Sequence, residues 1–531
     1  MFRPRVGTAR CLALAALAAP LTLAADSSPA GAQVTYPQGF DDPVPLSTSL
    51  GPLTRRINTT SPEAQAFFDQ GLQLLYSFTT QEAARSFRQA QRHDPNCAMC
   101  YFGEAWAWGP YLNGGMPPAA EARGFVAVQK AVQLKDRATP TERALIDAMA
   151  LRYDQAPNPA NRARLDTLYS NALERVYRAN PRDLEVGTIY AESVMLLNRA
   201  RGNYKLEDPF VQKIHGILDE ILTIDLLYPG ACHLYVHATE ATSRPDKAEK
   251  CAEHLGSSIP GASHINHMPS HTFNRIGRWG DAVRANVEAV ISDQKAEYGE
   301  GYAIYPTHNL AMLLYAASFD GQGAVAIQAA RDLAKQQTGS TSYVLTLIRF
   351  GRFDEVIERA NPLGGAGRAP WDFARGYAYL KLEQADSARH YLGEVERAAQ
   401  AASGVNGTLV GVLAGILRGE TLLSQGRSAE AITALEAAAA LEDQLPYAEP
   451  GQLPFSSRHW LGAALLDAKR FADAERVYRD ELFQHPRNGW SLFGLAQALA
   501  AQNKTSEAEE VRKQLADSWA RSDTLLRSSR F

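Results

Sequence analysis

The chain has 531 residues, a net charge of −4, 45% hydrophobic residues and 21% charged residues. That is an ordinary globular composition. It is too long for one small core and points to several domains or one elongated repeat array. With no basic excess and no basic run, it gives nucleic acid nothing to bind.

At the N-terminus Arg3, Arg5 and Arg10 precede the apolar run CLALAALAAPLTLAA and the small-residue stretch SSPAGAQ. A positive start, a short apolar run and a small-residue site read as a secretory signal over residues 1–32. Cleavage is expected after Ala32, with Ala25 the alternative. Pro20 interrupts the run, which is short for a membrane anchor, and Cys11 stands at its start, which argues against a lipoprotein. Beyond it no apolar run reaches about 18 residues, so no transmembrane segment is expected in the mature chain. Export to the periplasm or medium would let disulfides persist. Residues 33–55 read as an extended linker.

The first hairpin signal is GLQLLYSFTTQEAARSFRQAQRHDP, with Gly71, Ala83, Phe87, Ala90 and Pro95 at fixed spacing. CAMC at 97–100 follows. Tyr101 stands where c-type haem attachment needs histidine, and no second C-x-x-C completes a zinc site. A redox role for Cys97 and Cys100 conflicts with the surrounding hairpin pattern. The aromatics of YFGEAWAWGPY read as core. PYLNGGMPP and DQAPNPANRA read as inserted loops, and TPTE at 139–142 as a capping box. Ala248 and Ala282 lie 34 residues apart, as do Gly462 and Ala496, and Ala474 and Ala508. FARGYAYLKLEQADSARHYL and RGETLLSQGRSAEAITALEAA read as further hairpins. Pro95, Pro181, Pro260 and Pro486 end hairpins, since proline cannot continue a helix. A lone hairpin cannot bury its apolar face, so neighbours stack.

This pattern resembles the tetratricopeptide repeat. The resemblance implies an all-α, right-handed superhelical solenoid of eight to twelve hairpins, in two arrays, 56–330 and 331–531. DPNCAMCYFGEAWAWGP together with HMPSH is similar to an exported bacterial subfamily of such proteins that has no established activity.

Seven of the twelve histidines fall between His233 and His308. His237 and His271 each lie eleven residues before the paired anchors Ala248 and Ala282, and His233 and His267 each lie fifteen before. HLYVH and HMPSH are therefore one H-x-x-x-H pair repeated in register, each pair sharing a helix face. The resemblance puts these positions on the concave groove. Glu192 lies eleven residues after Pro181, as His271 does after Pro260, which predicts the same column. His308, in YPTHNLAMLLYAA, opens the next first helix. Glu240 lies one turn after His237, and Asn274 holds the matching place after His271. The expectation is that His237, His267, His271 and His308 converge with Glu192, with His233 and His264 at the margin. Pro269 breaks the pattern, predicting a late helix start or a kink. The other histidines join no pattern.

Imidazole with carboxylate suits zinc, iron, copper or nickel. H-E-x-x-H is absent, as are G-x-S-x-G, a phosphate loop and a dinucleotide fingerprint, so no nucleotide cofactor and no haem are expected. Two functional readings follow. One is a binding module, with a peptide or protein in the concave groove around a His/Glu centre able to hold a transition metal. The alternative is a metal-dependent hydrolase or oxidoreductase that activates water or dioxygen beneath a lid from 110–118 or 201–209. In a hairpin whose helices touch near Val236 and Ala248, facing residue numbers sum to about 484. Cys232 and Cys251 sum to 483, so a disulfide is expected behind the histidines, with two buried thiols as the alternative.

Overall fold

The computed structural model describes residues 40–359 and 365–531. The expected signal segment and residues 33–39 of the expected linker lie outside the described residues. Among the described residues the fold is all-α, with two isolated bridges and no strand. Helices pack in chain order as hairpins. Pro62–Tyr76 pairs with Thr80–His93, Ala98–Trp108 with Pro118–Leu134, and Pro229–Thr239 with Glu249–Ser258. Each hairpin packs on the next, so Thr80–His93 also meets Ala98–Trp108, and the array is a solenoid of tetratricopeptide type.

Local chemistry sets the starts. Ser61 accepts a hydrogen bond from the Ala64 N–H ahead of Pro62. Thr139 and Glu142 form the expected reciprocal capping box, which satisfies two otherwise orphaned backbone donors. The small residues let rings wedge between helices. A Cβ at Gly71 or Gly103 would fall 2.7 or 2.5 Å from the Phe87 ring. At the other end a Cβ at Gly462 or Gly494 would fall 2.4 or 2.1 Å from Tyr478. In both places one aromatic ring on a second helix fills the space between the first helices of its own hairpin and the next.

Buried apolar residues form two main cores. One runs from Phe40 to Met268, the other from Ala252 to Val511. The histidine-rich segment sits at their seam. Residues 40–61, ahead of the first helix, are tied down: Ser47 N–H donates to Gln70 Oε1 at 2.7 Å, and Arg55 pairs with Asp183 at 2.7 Å. The C-terminal tail turns back over the second half. Arg521 pairs with Asp320 at 2.8 Å, Arg530 with Glu420 at 2.6 Å, Ser529 Oγ donates to the His459 carbonyl, and the Tyr377 hydroxyl donates to the Phe531 carbonyl.

Two features add to the sequence reading, which left the state of Cys97 and Cys100 open. Cys97 and Cys100, both fully buried, are joined as a disulfide at the start of Ala98–Trp108. Gly404–Ser424 is long and apolar enough to cross a membrane by length and composition, although it holds no uninterrupted apolar run of that length. Both of its charged residues are paired within the fold: Glu420 is buried between Lys381 (2.7 Å) and Arg530, Arg418 pairs with Glu396 at 2.6 Å, and the helix packs on Ala385–Ala401 and Ser428–Glu442.

Phe87→Ala is expected to destabilise the chain by about 3–5 kcal/mol, the usual cost of emptying a buried aromatic site. Phe483→Ala, on an 81% exposed ring, should stay within about 0.5 kcal/mol. Urea unfolding of the two variants checks the pair, and equal midpoints would refute the wedge role of Phe87.

Candidate metal centre

Four short helical segments build the centre. Pro229–Thr239 starts with proline at its first position and carries His233 and His237 one turn apart, ending at Glu240. Ser263–His267 carries His264 and His267, and Pro269–Ile276 carries His271. The proline falls at the first position of the second piece, and Met268 between them keeps helical dihedrals (φ −51°, ψ −37°). The helix breaks after His267 and restarts with Pro269 in its first turn, as one of the two expectations had it, where a missing N–H leaves no helical bond unmade. His308 lies in the first turn of Pro306–Asp320, after Tyr305, which is held at φ 62°. Positive φ at a bulky residue is strained and often marks a functional position.

All six imidazoles share one contiguous cluster. Five of them, His233, His237, His264, His267 and His271, are at most 3% exposed, and His308 is half-buried. Ring centroids lie 6.3 Å apart for His237 and His264, 5.9 Å for His264 and His267, and 4.8 Å for His267 and His308. Within the cluster the donors form two triads, His233/His237/His264 and His267/His271/His308. The ligand atoms of each lie within 4.8 Å of one another, as do those of a third group, Glu240/His271/Glu449. His233 and His264 are thus not marginal but help to form a triad of their own. Glu192 is in none of the three groups. It accepts a hydrogen bond from the Trp106 indole at 2.9 Å and shares a small pocket with Thr188 and His233. Burial raises its pKa, against the pull of Arg152 and Trp106.

Hydrogen bonds fix which nitrogen of each ring faces inward. His233 Nδ1–H donates to the Tyr76 carbonyl at 2.6 Å, and His237 Nδ1–H to Glu240 Oε1 at 2.9 Å. Asn286 donates its amide to the Ala282 carbonyl, so its oxygen faces His267 and accepts from Nδ1–H at 2.7 Å. His271 Nδ1 lies 2.5 Å from Glu240 Oε2, an ion-pair contact too oblique for a hydrogen bond, and 3.4 Å from Glu449 Oε2. A nitrogen that close to carboxylate carries the proton. Each of these four rings is therefore left with Nε2 as its inward atom, the arrangement in which an outer partner orients a metal-binding imidazole.

Two consequences follow. His267 Nε2 and His271 Nε2 face each other at 2.8 Å, and two lone pairs at that distance require a proton or a cation between them. In the other triad, His233 Nε2, His237 Nε2 and both nitrogens of His264 are buried with no hydrogen-bond partner. Each such atom costs about 1–3 kcal/mol, and together they approach the net stability of a whole domain.

Burial disfavours the charged imidazolium. It lowers the pKa of His233 to about 3 and of His308 to about 4, and pushes those of His237, His264 and His267 well down. On His271 burial acts the same way, but Glu240 and Glu449 outweigh it and raise the pKa. Glu449 itself is pushed up by burial and by the neighbouring Glu240.

Three segments cover the centre. Residues 110–118 and 201–209, alternatives for an expected lid, meet directly: Arg201 donates to the Leu112 carbonyl at 3.0 Å, and Arg199, just ahead of the second segment, to the Gly114 carbonyl at 2.9 Å. Tyr111 and Tyr305 hydroxyls lie 3.0 Å apart. The third segment, Leu445–Ser457, was not anticipated. It brings Glu449 to His271 and Tyr447 beneath Arg275 (5.8 Å to the ring). Beside it opens a cavity of about 480 Å³ whose wall includes His271, Arg275, Tyr315, Glu449 and Glu481. Behind the centre Cys232 and Cys251 form the expected disulfide, with Cα atoms 5.0 Å apart.

Sequence reasoning missed Glu449 altogether, since it lies outside the histidine-rich segment in a loop without repeat register. Glu240 was noted only by its spacing, and the reciprocal pairing with His271 depends on the neighbouring hairpin.

The sequence matches no protein-family description and none of the curated proteins. Among solved structures it is similar to the human IFIT1 dimer with m7Gppp-AAAA, at 12% identity and a TM-score of 0.29, over 86% of this chain and 90% of that one.

Two outcomes are expected here. Replacing both Cys232 and Cys251 by alanine opens a loop of about 20 residues and should cost roughly 3 kcal/mol in chemical unfolding; an unchanged midpoint would contradict the clamp. The second concerns Glu481, 1% exposed, which accepts from His485 Nδ1 at 2.8 Å. Burial pushes its carboxyl up, but His485 and His459 bring it down from 4.5 to about 2. A carboxyl lowered in the fold stabilises fully above its unfolded pKa and loses that contribution as pH falls. Wild type should therefore melt above Glu481→Gln near pH 6, with the gap closing from about pH 4.5 towards 2. A gap independent of pH would sink the assignment.

Proposed function

We propose that this chain is an exported metalloprotein of tetratricopeptide architecture, holding a transition-metal ion at His267, His271 and His308, with Glu449 as the adjoining carboxylate. One observation carries the reading: two Nε2 atoms face each other at 2.8 Å while their Nδ1 atoms are committed to Asn286 and Glu240. Imidazole and carboxylate together suit zinc, iron, copper or nickel. A proton shared between the two rings is the competing occupant, and metal content separates the two.

A second reading gives the ion work to do. His271 and Glu449 lie in the wall of the cavity beside Leu445–Ser457, so an ion there would border space for a ligand. An ion with three protein nitrogens and an open position activates water or binds dioxygen. That favours a metal-dependent hydrolase or oxidoreductase over a scaffold holding a peptide along its groove. Export rests on the N-terminal signal pattern, and the resemblance of DPNCAMCYFGEA with HMPSH to an exported bacterial subfamily supports it.

Tag-free full-length protein from its native host should retain transition metal at no less than one ion per chain, read by mass spectrometry of metal content. His271→Ala should lose it while keeping the helical far-UV spectrum. Metal-free native protein would overturn the reading and leave the proton bridge. N-terminal sequencing of the same material should begin between residues 26 and 33; a start at Met1 would remove export.

A further inference from the structure

We infer that the chain binds a second transition-metal ion at His233, His237 and His264, distinct from the ion proposed at His267, His271 and His308. This extends that reading from one ion to two.

The three rings are each no more than 2% exposed, and their ligand atoms lie within 4.8 Å of one another. His233 Nε2, His237 Nε2 and both His264 nitrogens have no hydrogen-bond partner. The outer nitrogens of His233 and His237 are held by the Tyr76 carbonyl and Glu240. Those bonds place the proton on Nδ1 and leave an inward lone pair on Nε2 of each ring, as a metal ligand requires. His264 comes from the next hairpin and offers either nitrogen. Three convergent, neutral, unsatisfied imidazoles from two hairpins match the protein half of a three-histidine metal site.

A second feature closes the site. Phe78 lies against all three rings, with centroids 4.3 Å from His233, 5.9 Å from His237 and 5.2 Å from His264. Phe78 is itself held at φ 59°, a strained conformation for a bulky residue. A hydrophobic ring kept at conformational expense over unsatisfied nitrogens controls solvent access to the space between them. The donor set selects the ion class. It holds no carboxylate, so hard ions that seek oxygen, such as magnesium and calcium, are excluded, and borderline ions of the zinc and copper type fit.

The two triads are linked but not merged. Glu240 holds His237 with one oxygen and lies on His271 with the other, so one carboxylate sits behind both sites. The His233 triad is closed by Phe78; the His267 triad adjoins the cavity through His271.

The test is stoichiometry. The full-length mature protein is stripped with chelator, reloaded with zinc, and weighed by native mass spectrometry. Wild type should carry two ions per chain. His264→Ala should carry one, since it removes a second-site ligand that makes no hydrogen bond, and His308→Ala should also carry one. Where His264→Ala fails to fold by near-UV dichroism, His264→Gln takes its place. A wild type with one ion that His264→Ala retains overturns the second site and leaves the first intact. A His264→Ala chain still holding two ions also overturns it. If His308→Ala keeps both, the ligands of the first site are wrong while the second stands. No ion in any form removes both.

Discussion

Glu240 is fully buried, with one carboxylate oxygen on His237 and the other on His271. A carboxylate in that position is expensive unless it is partnered, and here its partners come from two successive hairpins. The constraint works in both directions. The imidazoles hold the carboxylate, and the carboxylate keeps a proton on each Nδ1 and turns each Nε2 inward. Arg275 donates to the Glu240 backbone carbonyl at 2.9 Å and lies over Tyr447, so the same point anchors the segment that brings Glu449 to the site. Without Glu240, either ring could take the other tautomer and present a donor where an ion needs a lone pair.

The way the chain returns on itself matters to what the groove can hold. Tetratricopeptide-type arrays leave an inner face of first helices open to a partner. Here the final residues bridge several helices of the second half, meeting Asp320, Tyr377, Glu420, His459 and Tyr478. The Trp279 indole also donates to the Pro486 carbonyl at 2.9 Å, and the Trp490 indole to the Ser318 carbonyl at 3.0 Å. The middle of the chain and its end are therefore in direct contact. Between Leu445–Ser457 and His271 lies a half-open cavity of about 480 Å³, a size suited to a small ligand.

Much of this was legible in the sequence because repetition transmits geometry. The 34-residue step between Ala248 and Ala282 put His237 beside His271, and their ring centroids are 5.8 Å apart. Antiparallel counting within one hairpin paired Cys232 with Cys251. The same logic failed for Glu192, where the count began at Pro181 in a hairpin farther back. Each hairpin is rotated on the last, and that offset carried Glu192 to Trp106. It failed also for His233 and His264, since a column of positions does not show that six rings divide into two threes. Glu449 was out of reach. It comes from a loop nearly two hundred residues away from the nearest histidine pair, brought in by closure of the array, and closure leaves no periodic trace. The Cys97–Cys100 bridge was missed for a different reason: haem, zinc and redox readings of C-x-x-C were weighed, and a buried disulfide at a helix start was not among them.

The two triads differ in a way that divides labour between them. The His233 triad is sealed by Phe78, lacks a carboxylate and stores the cost of four unsatisfied nitrogens. A ligand that binds only the folded state returns such a cost as stability, so an ion there would act first on the fold, at the seam where the two cores meet. With three protein nitrogens alone, an ion there would keep a fourth position unfilled by protein, and Phe78 is the side chain that limits what reaches it. The His267 triad has the complementary features: a half-buried ligand in His308, a carboxylate in Glu449, and a cavity at its edge. Glu240 stands behind both, so charge placed at one site is felt through His237 and His271 at the other. With ions at both, a ligand in the cavity would meet the His267 triad, and the His233 triad would tie Pro229–Thr239 to Ser263–His267 beneath Phe78.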